Sequence, residues 1–146
     1  MRWLLLPAGK PALPFIREGC REYLQRLRPY TEVELAPLRK VDPSIIRSIR
    51  RQCEPRPVHL LLDERGELLS TREFAALIEG WQFEARGAIA CWIGGADGHP
   101  AELRSGADRA LALSRFTLQH ELALLVFLEQ LYRAYTLLRG EPYHRD

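Results

Sequence analysis

Val58-His59-Leu60-Leu61-Leu62 runs without the polar alternation of a half-exposed strand, and Ala88-Ile89-Ala90-Cys91-Trp92-Ile93 does the same. An uninterrupted apolar run of that length, closed by a turn signal, suits a strand covered on both faces, as in a parallel sheet flanked by helices. Outward from these two runs the pattern alternates. Residues 2–6 form another apolar run, bounded by Pro7-Ala8-Gly9. Residues 13–27 carry Phe15, Ile16, Tyr23, Leu24 and Leu27 near helical spacing, and Pro29 ends that helix. Residues 31–38 alternate as a strand. Asp42-Pro43 then opens a helix, an N-cap followed by proline at the first helical position. Ser70-Thr71-Arg72-Glu73 is a capping box for a helix to about Glu84, and Asp63-Glu64-Arg65-Gly66 reads as a turn before it. A short helix is expected over residues 100–106 and a short strand over 111–114. The fold expected is α/β, a mostly parallel sheet flanked by helices, with residues 1–146 forming one domain.

The longest helix spans about 119–139, stopped by Gly140 and Pro142. Its apolar residues make two stripes. Leu124, Phe127, Leu128, Leu131, Tyr135 and Leu138 form one, and Leu122, Leu125, Val126 and Tyr132 the other. A surface helix needs one stripe, so the second predicts burial against another subunit and a homodimer.

Composition narrows the function. With 47% hydrophobic residues in 146, the chain buries a proper core and does not read as disordered. A net charge of +2 does not by itself mark a nucleic-acid partner, but Arg39, Lys40, Arg47, Arg50, Arg51 and Arg56 crowd one stretch. Such a cluster suits phosphate contacts with RNA, and equally a solvated helix face. The three cysteines and four histidines lack zinc or disulfide spacing, and no apolar run is long enough to span a membrane. The expectation is a reduced, cytoplasmic, metal-free protein with no membrane partner.

Three loops after strands could hold a ligand at the carboxyl edge of a parallel sheet: 62–66, 94–98 and 114–118. Gly94-Gly95-Ala96-Asp97-Gly98 matches neither a dinucleotide fingerprint nor a P-loop, and alone it is equally a tight turn. Glu121 and Glu129 lie two helical turns apart and could share a face, although Glu129 also stands four before Arg133, the spacing of a helix-stabilising pair. Tyr143-His144-Arg145 sets an aromatic ring, an imidazole and a guanidinium side by side. They could stack on a base, take a proton and hold a phosphate, or form a loose charged terminus.

Taken together, these residues resemble the RlmH family, the ribosomal RNA large-subunit methyltransferase H group of SPOUT enzymes. The resemblance runs through Leu5-Leu6-Pro7-Ala8-Gly9-Lys10, Glu22-Tyr23-Leu24-Gln25-Arg26-Leu27 and Leu62-Asp63-Glu64-Arg65-Gly66. It is densest from Ile93-Gly94-Gly95 through Phe116-Thr117-Leu118-Gln119-His120 and Glu129-Gln130-Leu131-Tyr132-Arg133-Ala134 to Pro142-Tyr143-His144-Arg145. It implies a C-terminal trefoil knot, a homodimer with the active site near the subunit interface, and methyl transfer from S-adenosylmethionine, leaving S-adenosylhomocysteine and needing no metal. The target it implies is N3 of a pseudouridine (position 1915 of 23S ribosomal RNA) in assembled ribosomes. Cofactor contacts fall on Leu62, Gly94, Leu113, Ser114, Arg115, Phe116, Thr117 and Leu118. His144 is the expected proton acceptor, with Tyr143, Arg145 and Arg133 beside it, and Arg39, Lys40, Arg47, Arg50 and Arg51 are expected to dock RNA. Two rivals fit the same residues: a SPOUT enzyme acting on transfer RNA, and a non-catalytic ribosome-binding factor on that fold. The chain departs from the family pattern at Gln119-His120, where Pro-His is common, and at Asp97 in the glycine loop.

Overall fold

The computed structural model describes residues 1–53 and 57–146. Five strands alternate with five helices: β1 (Arg2–Pro7), α1 (Pro14–Leu27), β2 (Glu32–Leu35), α2 (Pro43–Gln52), β3 (Val58–Leu68), α3 (Thr71–Phe83), β4 (Ala88–Ile93), α4 (Ala101–Ser105), β5 (Arg109–Ala112) and α5 (His120–Leu138). The strands form one sheet in the order β2-β1-β4-β3-β5, and every pairing is parallel.

Consecutive residues of the central strands serve opposite faces, which is why the runs are apolar throughout. Trp3, Leu5, Leu60, Leu62, Ile89 and Cys91 meet α1, α3 and α5 on one side. Leu4, Leu6, Leu61, Ala90 and Trp92 meet Ile46 and Ile49 of α2 and Leu103 of α4 on the other. Burial of each such side chain stabilises by about 1.5–3 kcal/mol. On the first face Trp3 is fully buried and packs edge-on to Phe74, Trp81 and Phe127, with its indole N–H donated to the Tyr135 hydroxyl at 2.9 Å.

The helix starts follow local chemistry. Asp42 Oδ1 accepts from the Ile45 amide at 2.9 Å, and the Ser70–Glu73 capping box is complete in both directions. At α5, Gln119 takes the N-cap and its Oε1 accepts from the Leu122 amide at 2.9 Å, so the departure from Pro-His leaves that helix properly started.

Two expectations are corrected. Residues 63–66 are not a turn ending β3. The strand runs on to Leu68 through an irregularity, so that Leu62 and Glu67 both register with Leu111 of β5. Glycine is required at 66 because a Cβ there would lie 2.6 Å from the Ala110 main chain. β5 begins at Arg109, two residues before the apolar signal, since Arg109 and Ala110 pair with Leu60 and Leu61 by main chain alone. The second stripe of α5 is half-covered within the chain, with Leu125, Val126 and Tyr132 partly buried. Leu125 fills the space over Gly19 of α1, and the Tyr132 ring lies 6.1 Å from Tyr23 and 5.9 Å from Tyr30. Leu122, 37% exposed, is the most open residue of that stripe.

Candidate active site

The crossover from β4 passes over β3 to reach the edge at β5, and a cleft of about 470 Å³ opens beside residues 62–65 of β3 and the carboxyl ends of β4 and β5. This is where an open parallel sheet binds ligands. The 94–98 loop folds tightly, with the Gly98 amide donating to the Gly95 carbonyl at 3.0 Å and Gly98 at φ +74°. A Cβ on Gly94 would lie 3.1 Å from the Gly98 carbonyl carbon and 3.3 Å from the His99 ring, so a side chain there would crowd the loop. Ile93, Leu111, Leu113, Leu118 and Ala123 give the cleft apolar walls.

Of the eight residues expected at the cofactor, Leu62, Gly94, Leu113, Ser114, Phe116, Thr117 and Leu118 line this cleft, and Arg115 does not. Ser114 Oγ accepts from the Phe116 amide at 2.8 Å, and Thr117 donates to Glu64 at 3.1 Å, so the 114–118 loop is braced at both ends. Phe116 is 84% exposed at the rim. Sequence reading missed His99, whose Nε2 lies 2.8 Å from the Leu62 carbonyl and ties the glycine loop to the point where β3 becomes irregular. Its position directly after Gly98 was the available signal. It also missed Arg104, 3.6 Å from Asp63 across the cleft wall. Asp97 does line the cleft, adding a negative charge.

The 143–146 segment is held, not frayed. The Tyr143 ring packs edge-on to Tyr132 with centroids 4.7 Å apart, the Arg133 guanidinium lies 4.7 Å over its face, and its hydroxyl donates to Glu129 Oε1 at 3.2 Å. Burial, then the Tyr23 hydroxyl and the Glu129 carboxylate, push the Tyr143 pKa well up, so its hydroxyl stays protonated and acts as a donor. Arg133 is paired with Glu129 at 2.7 Å, which raises its pKa further, and its NH1 lies 3.4 Å from His144 Nδ1. Arg145 is exposed.

Glu121 and Glu129 do not work as a pair. Glu121 is buried and accepts from the Ala12 and Leu13 amides at the entry to α1, and the Leu13 hydrogen bond leads the causes that lower its pKa. Glu129 serves Arg133 and Tyr143.

Within one chain the tail and the cleft are apart. Ala123 lines the cleft, and the residues that meet the tail, Glu129 and Arg133, stand about 9 and 15 Å further along α5. The basic cluster is elsewhere again. Arg39, Lys40, Arg47 and Arg51 are exposed in and before α2, on the opposite face of the sheet from α5. Arg50 is turned inward, and a Cβ on Gly106 would meet its guanidinium at 2.0 Å. Arg56 lies outside the described residues. Among the described residues no helix is long and apolar enough to cross a membrane, and no cluster of His, Cys, Asp and Glu gathers as a metal site.

A family model described as a predicted SPOUT methyltransferase matches residues 1–144. The chain belongs to the SPOUT methyltransferase family. Its relatives include the ribosomal RNA large subunit methyltransferase H of Thermus thermophilus, 42% identical over 145 residues covering 99% of both chains, and that of Geobacter metallireducens, 40% identical with full coverage of both. Solved structures share the fold at low identity. A probable methylase family protein from Haemophilus influenzae superposes with a TM-score of 0.59 at 13% identity, over 99% of this chain and 70% of that one. The SpoU methyltransferase AviRb from Streptomyces viridochromogenes, solved with AdoMet, gives 0.52 at 13%, over 95% and 58%. This SPOUT methyltransferase has its cleft beside the middle of β3 and the carboxyl ends of β4 and β5, with a structured tail on α5.

Proposed function

We propose that this SPOUT methyltransferase methylates N3 of a pseudouridine in a large-subunit ribosomal RNA hairpin, using S-adenosylmethionine and working as a homodimer on ribosomes in the cytoplasm. The observation that carries the reading is the anchoring of the tail at both ends, Tyr143 on Glu129 and Asp146 on Arg72: a loose terminus needs no such fixing. The names of the relatives from Thermus thermophilus and Geobacter metallireducens support the ribosomal target.

The cleft suits the cofactor. Its volume, about 470 Å³, lies within the ordinary range for small-molecule sites. Its lining combines glycines, apolar side chains and charged groups such as Asp63, Asp97 and Arg104, as a nucleoside carrying a polar amino-acid arm requires. Leu62, Gly94, Leu113, Ser114, Phe116, Thr117 and Leu118 would hold it. The cofactor supplies a sulfonium methyl that is already activated for transfer. The chain's own task is to orient the nucleobase and remove the N3 proton. Orientation makes attack effectively intramolecular, and a positioned base adds about two to four powers of ten in rate. His144 takes the proton, Tyr143 orients the nucleobase, and Arg133 and Arg145 hold carbonyl or phosphate oxygens.

Because tail and cleft are separate in one chain, the tail of one subunit serves the cleft of its partner. Leu13, Phe15 and Leu122 stay partly or largely exposed where Glu121 joins the starts of α1 and α5, and exposed Phe116 lies just ahead on the chain. That apolar rim supports a subunit interface beside the cleft. The double registration of Leu111 with Leu62 and Glu67, around close-fitting Gly66, supports a threaded, knotted path for β5.

Mass mapping of ribosomal RNA from cells with and without the gene tests the whole reading. A methylated pseudouridine should vanish with the gene and return with the purified enzyme acting on ribosomes. Transfer to free transfer RNA instead, or no S-adenosylmethionine binding by calorimetry, would overturn it. Reversing the charges of Arg39, Lys40, Arg47 and Arg51 together should weaken ribosome binding and flatten its salt dependence, with cofactor affinity unchanged.

A further inference from the structure

His144 is held at both ring nitrogens, and its side chain is only 9% exposed. Nε2 lies 2.8 Å from Asp146 Oδ1 and Nδ1 lies 3.4 Å from Arg133 NH1. An ionised carboxylate only accepts hydrogen bonds, so the first contact needs the hydrogen on Nε2. A guanidinium only donates, so the second needs a lone pair on Nδ1. The two partners therefore select one neutral tautomer. They do so unequally, since the Asp146 bond is short and the Arg133 contact is at the limit of hydrogen bonding.

Asp146 is itself clamped from another element. Arg72, in the first turn of α3, donates to it from Nε at 3.1 and 3.2 Å and from NH2 at 2.7 Å. Arg72 first, and His144 second, bring the Asp146 pKa down to about 2, so the carboxylate is charged at any working pH. The groups around the ring are thus Arg133 with its partner Glu129 on α5, Asp146 with its partner Arg72 on α3, and Tyr143 in the tail.

We infer that Asp146, fixed by Arg72, is a positioning residue that keeps His144 in the Nε2–H tautomer, so that Nδ1 carries the lone pair that removes the substrate proton. The inference rests on His144 acting as the base. In that step the N3–H bond breaks and an Nδ1–H bond forms, leaving an imidazolium whose Nε2–H faces the Asp146 carboxylate. That charge offsets the Arg133 cation, which otherwise opposes a second positive charge beside it. Arg133 gives up its weak contact with Nδ1 and is free to engage substrate oxygens.

Two measurements test this on the full-length protein. Nitrogen-15 shifts of the His144 ring without cofactor should show a protonated Nε2 and a bare Nδ1, and Asp146→Asn should mix the two tautomers. Asp146→Asn should also lower kcat on ribosomes about tenfold without changing KM for S-adenosylmethionine, and Asp146→Glu should restore most of it. Full activity in Asp146→Asn, or a natural ring protonated at Nδ1, overturns the inference. If His144→Gln methylates at the natural rate, the base role of His144 falls, while the ring shifts still decide whether Asp146 sets the tautomer.

Discussion

One oxygen, Oε1 of Glu129, accepts from the Tyr143 hydroxyl at 3.2 Å and from both Nε and NH2 of Arg133, at 3.0 and 2.7 Å. An i,i+4 ion pair of the ordinary helix-stabilising kind is thereby turned into the mooring of the tail. Glu129→Ala is expected to cut methyl transfer at least about tenfold, roughly 1.4 kcal/mol of lost positioning. Cofactor affinity should hold, because Glu129 stands about 9 Å along α5 from the cleft wall at Ala123. Single-turnover transfer beside calorimetry checks both halves. Weakened cofactor binding would show that tail and cleft are not separate.

Gly94→Ala should leave the chain folded and weaken S-adenosylmethionine binding roughly tenfold, about 1.4 kcal/mol. The added methyl would stand 3.1 and 3.2 Å from the Gly98 carbonyl, so the loop must shift by a few tenths of an ångström and its amides move with it. Unchanged affinity by calorimetry would remove the 94–98 loop from the cofactor site.

Tyr135→Phe removes the acceptor for the fully buried Trp3 indole N–H. An unsatisfied buried donor costs about 1–3 kcal/mol, so the urea midpoint should fall with little change in slope. A midpoint unaltered by the substitution would mean that the indole finds another partner.

Stability should also depend on pH through His59. Burial, reinforced by Arg50 and opposed by Asp108, lowers its pKa from the ordinary 6.5. The unfolded chain then takes up a proton more readily than the folded one, so the contribution is whole above pH 6.5 and is lost as pH falls below it. The ring is placed for neutrality, stacked on Trp92, with Nδ1 accepting the indole N–H at 3.3 Å. Urea midpoints from pH 7.5 down to 5 should decline in the natural protein and more gently in His59→Phe. Parallel curves would sink the assignment.

Much of the architecture was legible because its causes are local. The Asp42-Pro43 start, the Ser70–Glu73 box and the apolar runs of β1, β3 and β4 depend on neighbours within a few residues, and the structure has them where expected. Residues 63–66 misled because a turn composition says nothing about a second strand alongside, and β5 pairs with both ends of that segment. The first stripe of α5 is buried as its period implies, and the partial cover for Leu125 and Tyr132 of the second is α1, which no periodicity can reveal. In the site, seven of the eight residues expected at the cofactor line one cleft, while Arg115 and the inward-turned Arg50 depended on side-chain direction.

The sequence alone determined the alternation of strand and helix, the division of each central strand between two apolar faces, and the glycines where the chain must turn tightly. Period, capping chemistry and the missing Cβ act over short range and are written residue by residue. Only the tertiary structure decided that Arg72 meets Asp146, that His99 ties the glycine loop to Leu62, and that His144 stands a good part of α5 away from the cleft in its own chain. Those relations join segments distant in sequence, and packing of whole helices on the sheet, not any local preference, sets where their side chains come together.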